Sequence, residues 1–317
     1  MTYVLFLVGF VVLIKGADFL VEGSSSIAKK FKISNLVIGL TIVAFGTSAP
    51  ELVVNIIAAL EGKTELAFGN ILGSNIANIL LILGVASTIC ALTVKRNTVW
   101  IEIPLCMLAV LVVAAMANDA LIDRVNSSLI SRSEGLVLIG FFIVFLYYTI
   151  NIARTNEGEI VEAVEQYSTR RSIIMVVIGL TGLILGGNWI VEGAVKIALA
   201  FGLSESLIGL TIVSIGTSLP ELATSAMAAY RKETDIAIGN VVGSNIFNMF
   251  WILAVSSIVR PIALQPANNF DIATLIFANV LLFACLFIGK RHIIDRWQGI
   301  LFLFAYIIYI VYLVMRG

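Results

Sequence analysis

The sequence predicts an all-α, polytopic membrane protein with about ten transmembrane helices, arranged as two inverted repeats of five helices in which helices 2 and 7 are broken. The composition is the first reason, because hydrophobic residues make up 60% of the chain and charged residues 13%, against about 45 to 50% and about 25% in soluble domains. The second reason is a series of apolar runs of about 20 residues, the length that crosses a bilayer as a helix. The third reason is a long internal repeat.

The apolar runs lack the alternation of a membrane β-strand, so each is predicted to be a helix. The expected spans cover about residues 2–22, 35–60, 65–88, 98–117, 134–153, 172–199, 204–229, 234–257, 269–289 and 295–315. The longest connection, residues 154–171, is strongly polar and lies at the midpoint of the chain. We interpret it as a cytoplasmic linker between a first repeat at residues 1–153 and a second repeat at residues 172–317.

The internal repeat appears when the chain is shifted by 170 residues. GTSAPE at 46–51 then lies over GTSLPE at 216–221, and GNILGSNIAN at 69–78 lies over GNVVGSNIFN at 239–248. Because each copy has an odd number of spans, the second copy must enter the membrane in the opposite sense. Inverted repeats of this kind are the plan of many secondary transporters, whose binding sites lie near the midplane between the copies.

The basic residues predict the orientation of the chain. If the N-terminus is outside, thirteen lysines and arginines fall in cytoplasmic loops and five fall in outer loops. The positive-inside rule therefore predicts a multi-pass protein of the cell membrane with both termini extracytoplasmic. The net charge is zero, so no nucleic-acid partner is expected and the surrounding partner is membrane lipid.

Two helices are predicted to break near the middle of the membrane, at Pro50 and Pro220. Neither proline has an amide hydrogen to donate to the preceding helical turn. Unpaired carbonyls are costly in lipid, so such a break persists only where protein, water or an ion satisfies them. Glu51 and Glu221 follow the two prolines directly. A charge at the bilayer centre costs about 2.5 to 3.5 kcal/mol on insertion scales, so such residues usually mark an ion or proton path.

Two simpler interpretations of these segments are open at this point. Ser48 to Glu51 and Ser218 to Glu221 each match the S-x-x-E capping box, which would restart a helix after a kink. Small and amide side chains that share one helical face in each copy could also simply bond helices together. These side chains are Asn70, Ser74, Asn78, Asn240, Ser244 and Asn248. Two buried acids beside two broken backbones favour an ion-binding core over either interpretation alone.

The candidate core offers only oxygen ligands, from carboxylates, hydroxyls, side-chain amides and backbone carbonyls. Such a set suits Ca²⁺, which takes six to eight oxygens at about 2.3 to 2.6 Å. Soft metals are disfavoured because the motifs supply no thiolate or imidazole. Without a divalent ion, two nearby glutamates would not easily both stay ionised, so monovalent cations or protons should replace it.

The paired motifs resemble the α-repeats of the sodium/calcium exchanger family, within the cation/calcium antiporter superfamily, and the likeness to prokaryotic calcium/sodium antiporters covers nearly the full chain. The resemblance implies exchange of Na⁺ for Ca²⁺ by alternating access, with the first helix of each half sliding against the core and no cofactor. Small inorganic cations are then the partners, protons could compete for the site, and we expect a functional monomer. The resemblance implies as cation ligands Glu51, Glu221, Thr47, Ser48, Thr217, Ser218, the carbonyls of Ala44 and Ser214, and Ser74, Asn78, Ser244 and Asn248.

The sequence departs from part of the family at Asn248, where some relatives, including the potassium-dependent ones, carry aspartate. Asn78 and Asn248 are both amides here, which argues against potassium dependence. The GTSxPE motif favours sodium as counter-ion, with a proton-coupled calcium antiporter as the alternative. A calcium-permeable cation channel is the alternative from a different class, because acidic and carbonyl oxygens also build filters. An enzyme is not expected, because His292 is the single histidine and the G-x-S-x-G elbow is lacking.

Three further acidic residues, Asp18, Glu22 and Glu192, are expected toward the inner end of the first helix of each half. Glu22 and Glu192 are mates in the repeat. We interpret all three as capping or snorkelling residues at the interface, with the lining of an entrance as the alternative.

Overall fold

The computed structural model describes residues 2–122, 124, 128–155, 167–200 and 214–316. The helices of the first half are α1 (Thr2–Lys30), α2 (Asn35–Thr47), α3 (Ala49–Leu60), α4 (Thr64–Ile89), α5 (Thr98–Met116), α6 (Asp119–Ile122) and α7 (Arg132–Thr155). The helices of the second half are α8 (Thr169–Ala200), α9 (Ser214–Thr217), α10 (Leu219–Tyr230), α11 (Thr234–Val259), α12 (Asn268–Cys285) and α13 (Arg296–Arg316).

The predicted all-α membrane fold is confirmed. Within the described residues, eight helices are long and apolar enough to span a membrane, and the bent pair α2 and α3 makes a ninth. The remaining predicted span, residues 204–229, begins with residues 204–213, which lie outside the described part of the chain. The predicted linker also lies largely outside it, because only its ends are described, and these continue α7 to Thr155 and begin α8 at Thr169.

Helix α1 is longer than the sequence predicted, since it continues to Lys30 and does not end near residue 22. The polar run that suggested an exit from the membrane is buried, with Ser24, Ser25 and Ser26 at most 2% exposed. The hydroxyls of Ser26 and Ser172 lie 2.9 Å apart, so this run packs against the start of α8. The apolar pattern could not show this, because the contact joins two halves of the chain.

Helices α1 and α8 pack closely along their length and run antiparallel. A Cβ atom on Gly16 would lie 2.9 Å from the carbonyl oxygen of Gly179, and one on Gly186 would lie 2.8 Å from that of Gly9. Glycine at these positions allows the two backbones to approach, as small residues do in membrane helix pairs. The antiparallel packing places Glu22 and Glu192 at opposite ends of the pair, so the expectation that both lie toward the inner end is wrong.

Helices α4 and α11 form the buried centre of the bundle, with α11 against α2 and α10 and α4 against α3 and α12. Within the described residues, four helices contain a π-helical segment, a feature that is frequent at functional sites. The segments are Gly39–Val43 in α2, Asn78–Ile82 in α4, Thr98–Glu102 in α5 and Phe247–Ile252 in α11. The segments in α4 and α11 contain Asn78 and Asn248, two of the predicted ligands.

Two short antiparallel sheets join the halves at their loops. Strand β1 (Leu92–Thr93) pairs with β4 (Ile293–Ile294), and β2 (Leu129–Ile130) pairs with β3 (Ile262–Ala263). Each sheet joins a loop of the first half to a loop of the second half. The ten-span prediction places the two loops of each sheet on the same side of the membrane, which agrees with this pairing.

Candidate cation site

The helical path is interrupted at Ser48 and Ser218. Ser48 has φ −82° and ψ 5°, and Ser218 has φ −90° and ψ 5°, so each lies between two helices. Pro50 and Pro220 occupy the first turn of α3 and α10, where a missing amide hydrogen costs little. Helices α2 and α3 meet at a bend of 45°. The predicted helix break before each proline is confirmed.

Each glutamate after the break is bonded by a serine of the other half. Glu51 and Glu221 are both 1% exposed. The hydroxyl of Ser48 donates to Glu221 Oε1 at 2.9 Å, and the hydroxyl of Ser218 donates to Glu51 Oε1 at 3.4 Å. These crossed bonds bring the two carboxylates together. Neither serine caps its own helix, so the capping-box interpretation does not hold.

The two threonines before the breaks bond to asparagines across the halves. Thr47 Oγ1 lies 3.0 Å from Asn240 Oδ1 and 3.3 Å from the carbonyl oxygen of Ala44. Thr217 Oγ1 donates to Asn70 Oδ1 at 3.3 Å. A hydroxyl that donates its hydrogen to such an acceptor keeps its lone pairs, and a cation needs those lone pairs.

The side chains of the two central helices are tied by a pair of amide hydrogen bonds. Asn78 Nδ2 donates to Asn245 Oδ1 at 2.9 Å, and Asn248 Nδ2 donates to Asn75 Oδ1 at 3.3 Å. The nitrogen of Asn78 and of Asn248 therefore bonds helix to helix. The oxygen of each side chain remains available, so the helix-bonding interpretation and the ligand interpretation apply to different atoms of one residue.

Six oxygens of the predicted ligands are buried and have no hydrogen-bond partner within the described part of the chain. The six are Oε2 of Glu51 and Glu221, Oγ of Ser74 and Ser244, and Oδ1 of Asn78 and Asn248. Three come from each half, at mated positions. A buried polar atom left unpaired costs about 1 to 3 kcal/mol, so six such oxygens at mated positions make this region a candidate ligand site.

The remaining predicted ligands are backbone carbonyls. The carbonyl of Ala44 accepts the amide hydrogen of Ser48 at 3.0 Å in addition to its contact with Thr47. Ser214 begins α9, three residues before Thr217. Among the described residues no group of three or more histidine, cysteine, aspartate or glutamate side chains could hold a metal. A cation here must therefore rely on the two carboxylates with neutral oxygens.

Several supporting residues were not predicted as part of the site. Asn75 and Asn245 are the acceptors that orient Asn78 and Asn248. Asn55 donates to the carbonyl oxygen of Glu51 at 2.7 Å, and its mate Ser225 accepts from Asn240 at 2.9 Å. Asn75 and Asn245 are identical mates within the repeat, and that identity was the signal that could have revealed them.

A cavity of about 190 Å³ lies between the second half of α8 and the two broken segments. Its described lining includes Asn188 and Glu192 of α8 together with Pro50, Thr217 and Pro220. The alternative interpretation of Glu192, as a residue that lines an entrance, therefore fits its position. A second cavity, of about 400 Å³, lies beside Glu65, Asp271 and Arg316 and reaches Ile215 in α9.

Comparison with known proteins assigns the chain to a family. The sequence profile of the family described as "Sodium/calcium exchanger protein" matches residues 1–151 and 171–315. The chain belongs to the sodium/calcium exchanger family. Its membership confirms the resemblance carried by the paired motifs, and the fold is that of a transporter.

Relatives within and around the sodium/calcium exchanger family align along most of the chain. The putative antiporter CaxA of Alkalimonas amylolytica is 39% identical over 312 residues, which cover 96% of this chain and 95% of the relative. The Ca(2+)/H(+) antiporter ChaA of Bacillus subtilis is 25% identical and covers 85% of this chain and 81% of its own. A structure of the sodium-calcium exchanger NCX_Mj has 37% identity and a TM-score of 0.84, covering 98% of this chain and 97% of that one. The protein is thus a cation/calcium antiporter of the sodium/calcium exchanger family.

Proposed function

We propose that the protein exchanges sodium for calcium across the cell membrane by alternating access at the oxygen site between α2–α3, α4, α9–α10 and α11. The observation that carries the proposal is the set of six unpartnered oxygens around the crossed carboxylates of Glu51 and Glu221. Both halves contribute equally to it. A cation that completes these oxygens offsets the cost of burying them.

The charge and number of the ligands explain the exchange of ions. Two carboxylates carry the charge that balances one Ca²⁺. The six oxygens alone reach the lower end of the six to eight ligands that Ca²⁺ takes, and the hydroxyls of Thr47, Ser48, Thr217 and Ser218 and the carbonyls of Ala44 and Ser214 are further candidate ligands. Sodium ions use the same oxygens. Because each carries a single charge, more than one sodium ion must bind to balance the two carboxylates. Calcium and sodium therefore compete for one site.

The proposed topology has ten spans in two inverted repeats, residues 1–153 and 172–317, with residues 154–171 as a cytoplasmic linker and both termini extracytoplasmic. The antiparallel packing of α1 and α8 supports it, because these are the first helices of the two halves. The excess of basic residues in the loops assigned to the cytoplasm also supports it. All six unpartnered oxygens come from one chain, so we propose that a monomer surrounded by lipid is sufficient for transport.

The test is uptake of radioactive calcium into proteoliposomes loaded with sodium, potassium or neither ion. We expect uptake only in vesicles loaded with sodium, and none in the Glu51→Gln and Glu221→Gln variants. Glu61→Gln is the matched control, because Glu61 follows α3 directly with its side chain 51% exposed, and we expect it to transport as the unchanged protein does. Uptake that persists in both buried variants would refute the proposed site.

A proton-coupled calcium antiporter is the alternative, and the similarity to ChaA of Bacillus subtilis favours it. Two close carboxylates can also be neutralised by protons. The same vesicles distinguish the two counter-ions when a pH gradient replaces the sodium gradient. Calcium entry without any counter-ion would instead indicate a channel.

A further inference from the structure

Helix α1 is joined to the core of the molecule by an ion-pair cluster at one end. The guanidinium of Arg231, which follows α10 directly, donates from Nε to Asp18 Oδ1 at 2.7 Å and from Nη2 to Glu22 Oε2 at 3.2 Å. Asp18 and Glu22 are one helical turn apart on α1. Their side chains are 24% and 20% exposed, so water screens these pairs only in part.

The turn that contains Arg231 makes further contacts with the same region. Glu233 accepts hydrogen bonds from Ser25 Oγ of α1 at 3.1 Å and from Asn35 Nδ2 of α2 at 2.6 Å. Four side chains near the end of α1 and the start of α2 are therefore bonded to the α10–α11 turn. Since this turn belongs to the core and not to the α1–α8 pair, the contacts fix α1 relative to the core.

The mated positions in the other half lack this cluster. The shift of 170 residues takes Asp18 to Asn188, Glu22 to Glu192 and Arg231 to Glu61. Glu61 bonds Lys63 of its own turn at 2.7 Å, and within the described residues no ion pair joins that turn to α8. Asn188 and Glu192 instead line the cavity of about 190 Å³ that reaches Thr217 and Pro220.

The same asymmetry appears at a fourth pair of mates. Val21, on α1 beside Glu22, is 0% exposed, whereas Val191, on α8 beside Glu192, lines the cavity. One end of the α1–α8 pair is therefore closed by ion pairs, and the other end is open toward the broken helices. The distribution of basic residues assigns the closed end, which carries Arg231 and Lys232, to the cytoplasm.

We infer that the pairs of Arg231 with Asp18 and Glu22 form a latch that holds the cytoplasmic end of α1 closed, and that Arg231 is a positioning residue for alternating access. The inference rests on the proposed function. Because Asp18 and Glu22 are one helical turn apart, a displacement of α1 by one turn, about 5.4 Å, would leave at most one of the two carboxylates within hydrogen-bond distance of Arg231. At least one of the two pairs must therefore break when the inner side opens, while the outer side, where Glu61, Asn188 and Glu192 occupy the mated positions, has no basic residue to form such a pair.

The experiment measures the exposure of two reporter cysteines, Val191→Cys and Val21→Cys, each introduced alone into a chain whose Cys90, Cys106 and Cys285 are replaced by alanine. The proteins are reconstituted without ion gradients, and a membrane-impermeant thiol reagent is supplied on the outer or the inner side. Partly exposed ion pairs contribute only modestly to the free-energy difference between the outward-open and inward-open states. The ratio compares the rate at which Val191→Cys is labelled from outside with the rate at which Val21→Cys is labelled from inside. Arg231→Gln should lower this ratio about threefold to tenfold. Arg231→Asp combined with Asp18→Arg should restore much of the ratio, and Glu61→Gln should leave it unchanged.

Two results would overturn the latch. The first is a ratio that Arg231→Gln leaves unchanged. The second is a ratio in the double variant Arg231→Asp with Asp18→Arg that is as low as in Arg231→Gln. If Arg231→Gln is not recovered as folded protein, Asp18→Asn with Glu22→Gln breaks the same pairs and faces the same two outcomes. Labelling does not require ion exchange. A chain that shows the latch effect but exchanges no ions would therefore contradict the proposed function alone, and a chain that exchanges ions with an unaffected ratio would contradict the latch alone.

Discussion

The hydroxyl of Ser48 donates a 2.9 Å hydrogen bond to the carboxylate of Glu221, although 173 positions separate the two residues. The counterpart from Ser218 to Glu51 crosses in the other direction. Because a hydroxyl of one half orients the acid of the other half, neither repeat can form the site alone. Occupation of the proposed site by a cation would thereby be linked to the packing of the two halves.

The first prediction concerns this crossed bond. A hydrogen bond to a charged group contributes about 1.5 to 3 kcal/mol, which corresponds to about 10-fold to 100-fold in affinity. We expect Ser48→Ala to raise the half-saturating calcium concentration of exchange by about that factor. Ser218→Ala should have a smaller effect, because its bond is 3.4 Å long.

Ser256→Ala is the control for the loss of a buried hydroxyl. Ser256 is 0% exposed and bonds only within its own helix, to the carbonyl oxygen of Ile252. We expect its calcium dependence to match that of the unchanged protein. Equal effects of Ser48→Ala and Ser256→Ala would show that the crossed bond has no special part in binding.

The second prediction concerns the amides that orient the ligands. Asn245→Ala removes the acceptor for Asn78, so the amide of Asn78 is no longer held and its oxygen is less well placed for a cation. A neutral hydrogen bond contributes about 0.5 to 1.5 kcal/mol, so calcium affinity should fall about 3-fold to 10-fold. Asn279→Ala is the control, since Asn279 is also buried but donates its hydrogen bond to the carbonyl oxygen of Leu275 in its own helix. A normal affinity in Asn245→Ala would contradict the orienting role.

The residues that the sequence revealed are those whose local chemistry is costly in a membrane. Pro50 forces a helix break, and Glu51 buries a charge, so both are conspicuous in a single copy, and the repeat identifies Pro220 and Glu221 as their mates. Asn75 was not predicted as part of the site because the spacing by four residues selects the face of Asn70, Ser74 and Asn78. Asn75 accepts a hydrogen bond from Asn248 in the other half, and no local sequence pattern encodes a contact between residues so far apart in the chain.

The fold was likewise predictable where local sequence patterns determine it, and not where it depends on contacts between distant residues. Apolar runs located the helices because each span must be apolar against lipid. The continuation of α1 to Lys30 was missed because Ser24, Ser25 and Ser26 are buried by α8 and the core and not by lipid. The pairing of Arg231 with Asp18 likewise joins residues that are 213 positions apart.

The third prediction concerns the helix break. Pro50→Ala restores an amide hydrogen to the preceding turn, so we expect the 45° bend between α2 and α3 to diminish and Glu51 to move from Ser218. Loss of that bond should reduce calcium affinity about tenfold. Pro266→Ala is the control, because Pro266 lies exposed in a turn before α12. Calcium titration of exchange in both variants tests the prediction, and an unaffected Pro50→Ala would show that the proline does not maintain the site.

The fourth prediction concerns the close packing of α1 and α8. A Cβ atom on Gly16 would lie 2.8 Å from the backbone nitrogen of Leu183, so Gly16→Ala must push the two helices apart. Overpacking of this kind costs about 1 to 3 kcal/mol, and the midpoint of thermal unfolding in detergent should fall by several degrees. Gly140→Ala lies on the exposed face of α7, where no described atom other than the chain neighbours and backbone of its own helix comes within 4 Å of the added carbon. It should leave the midpoint unchanged or raise it, because alanine favours helix over glycine, and equal midpoints for the two variants would refute the close-packed contact.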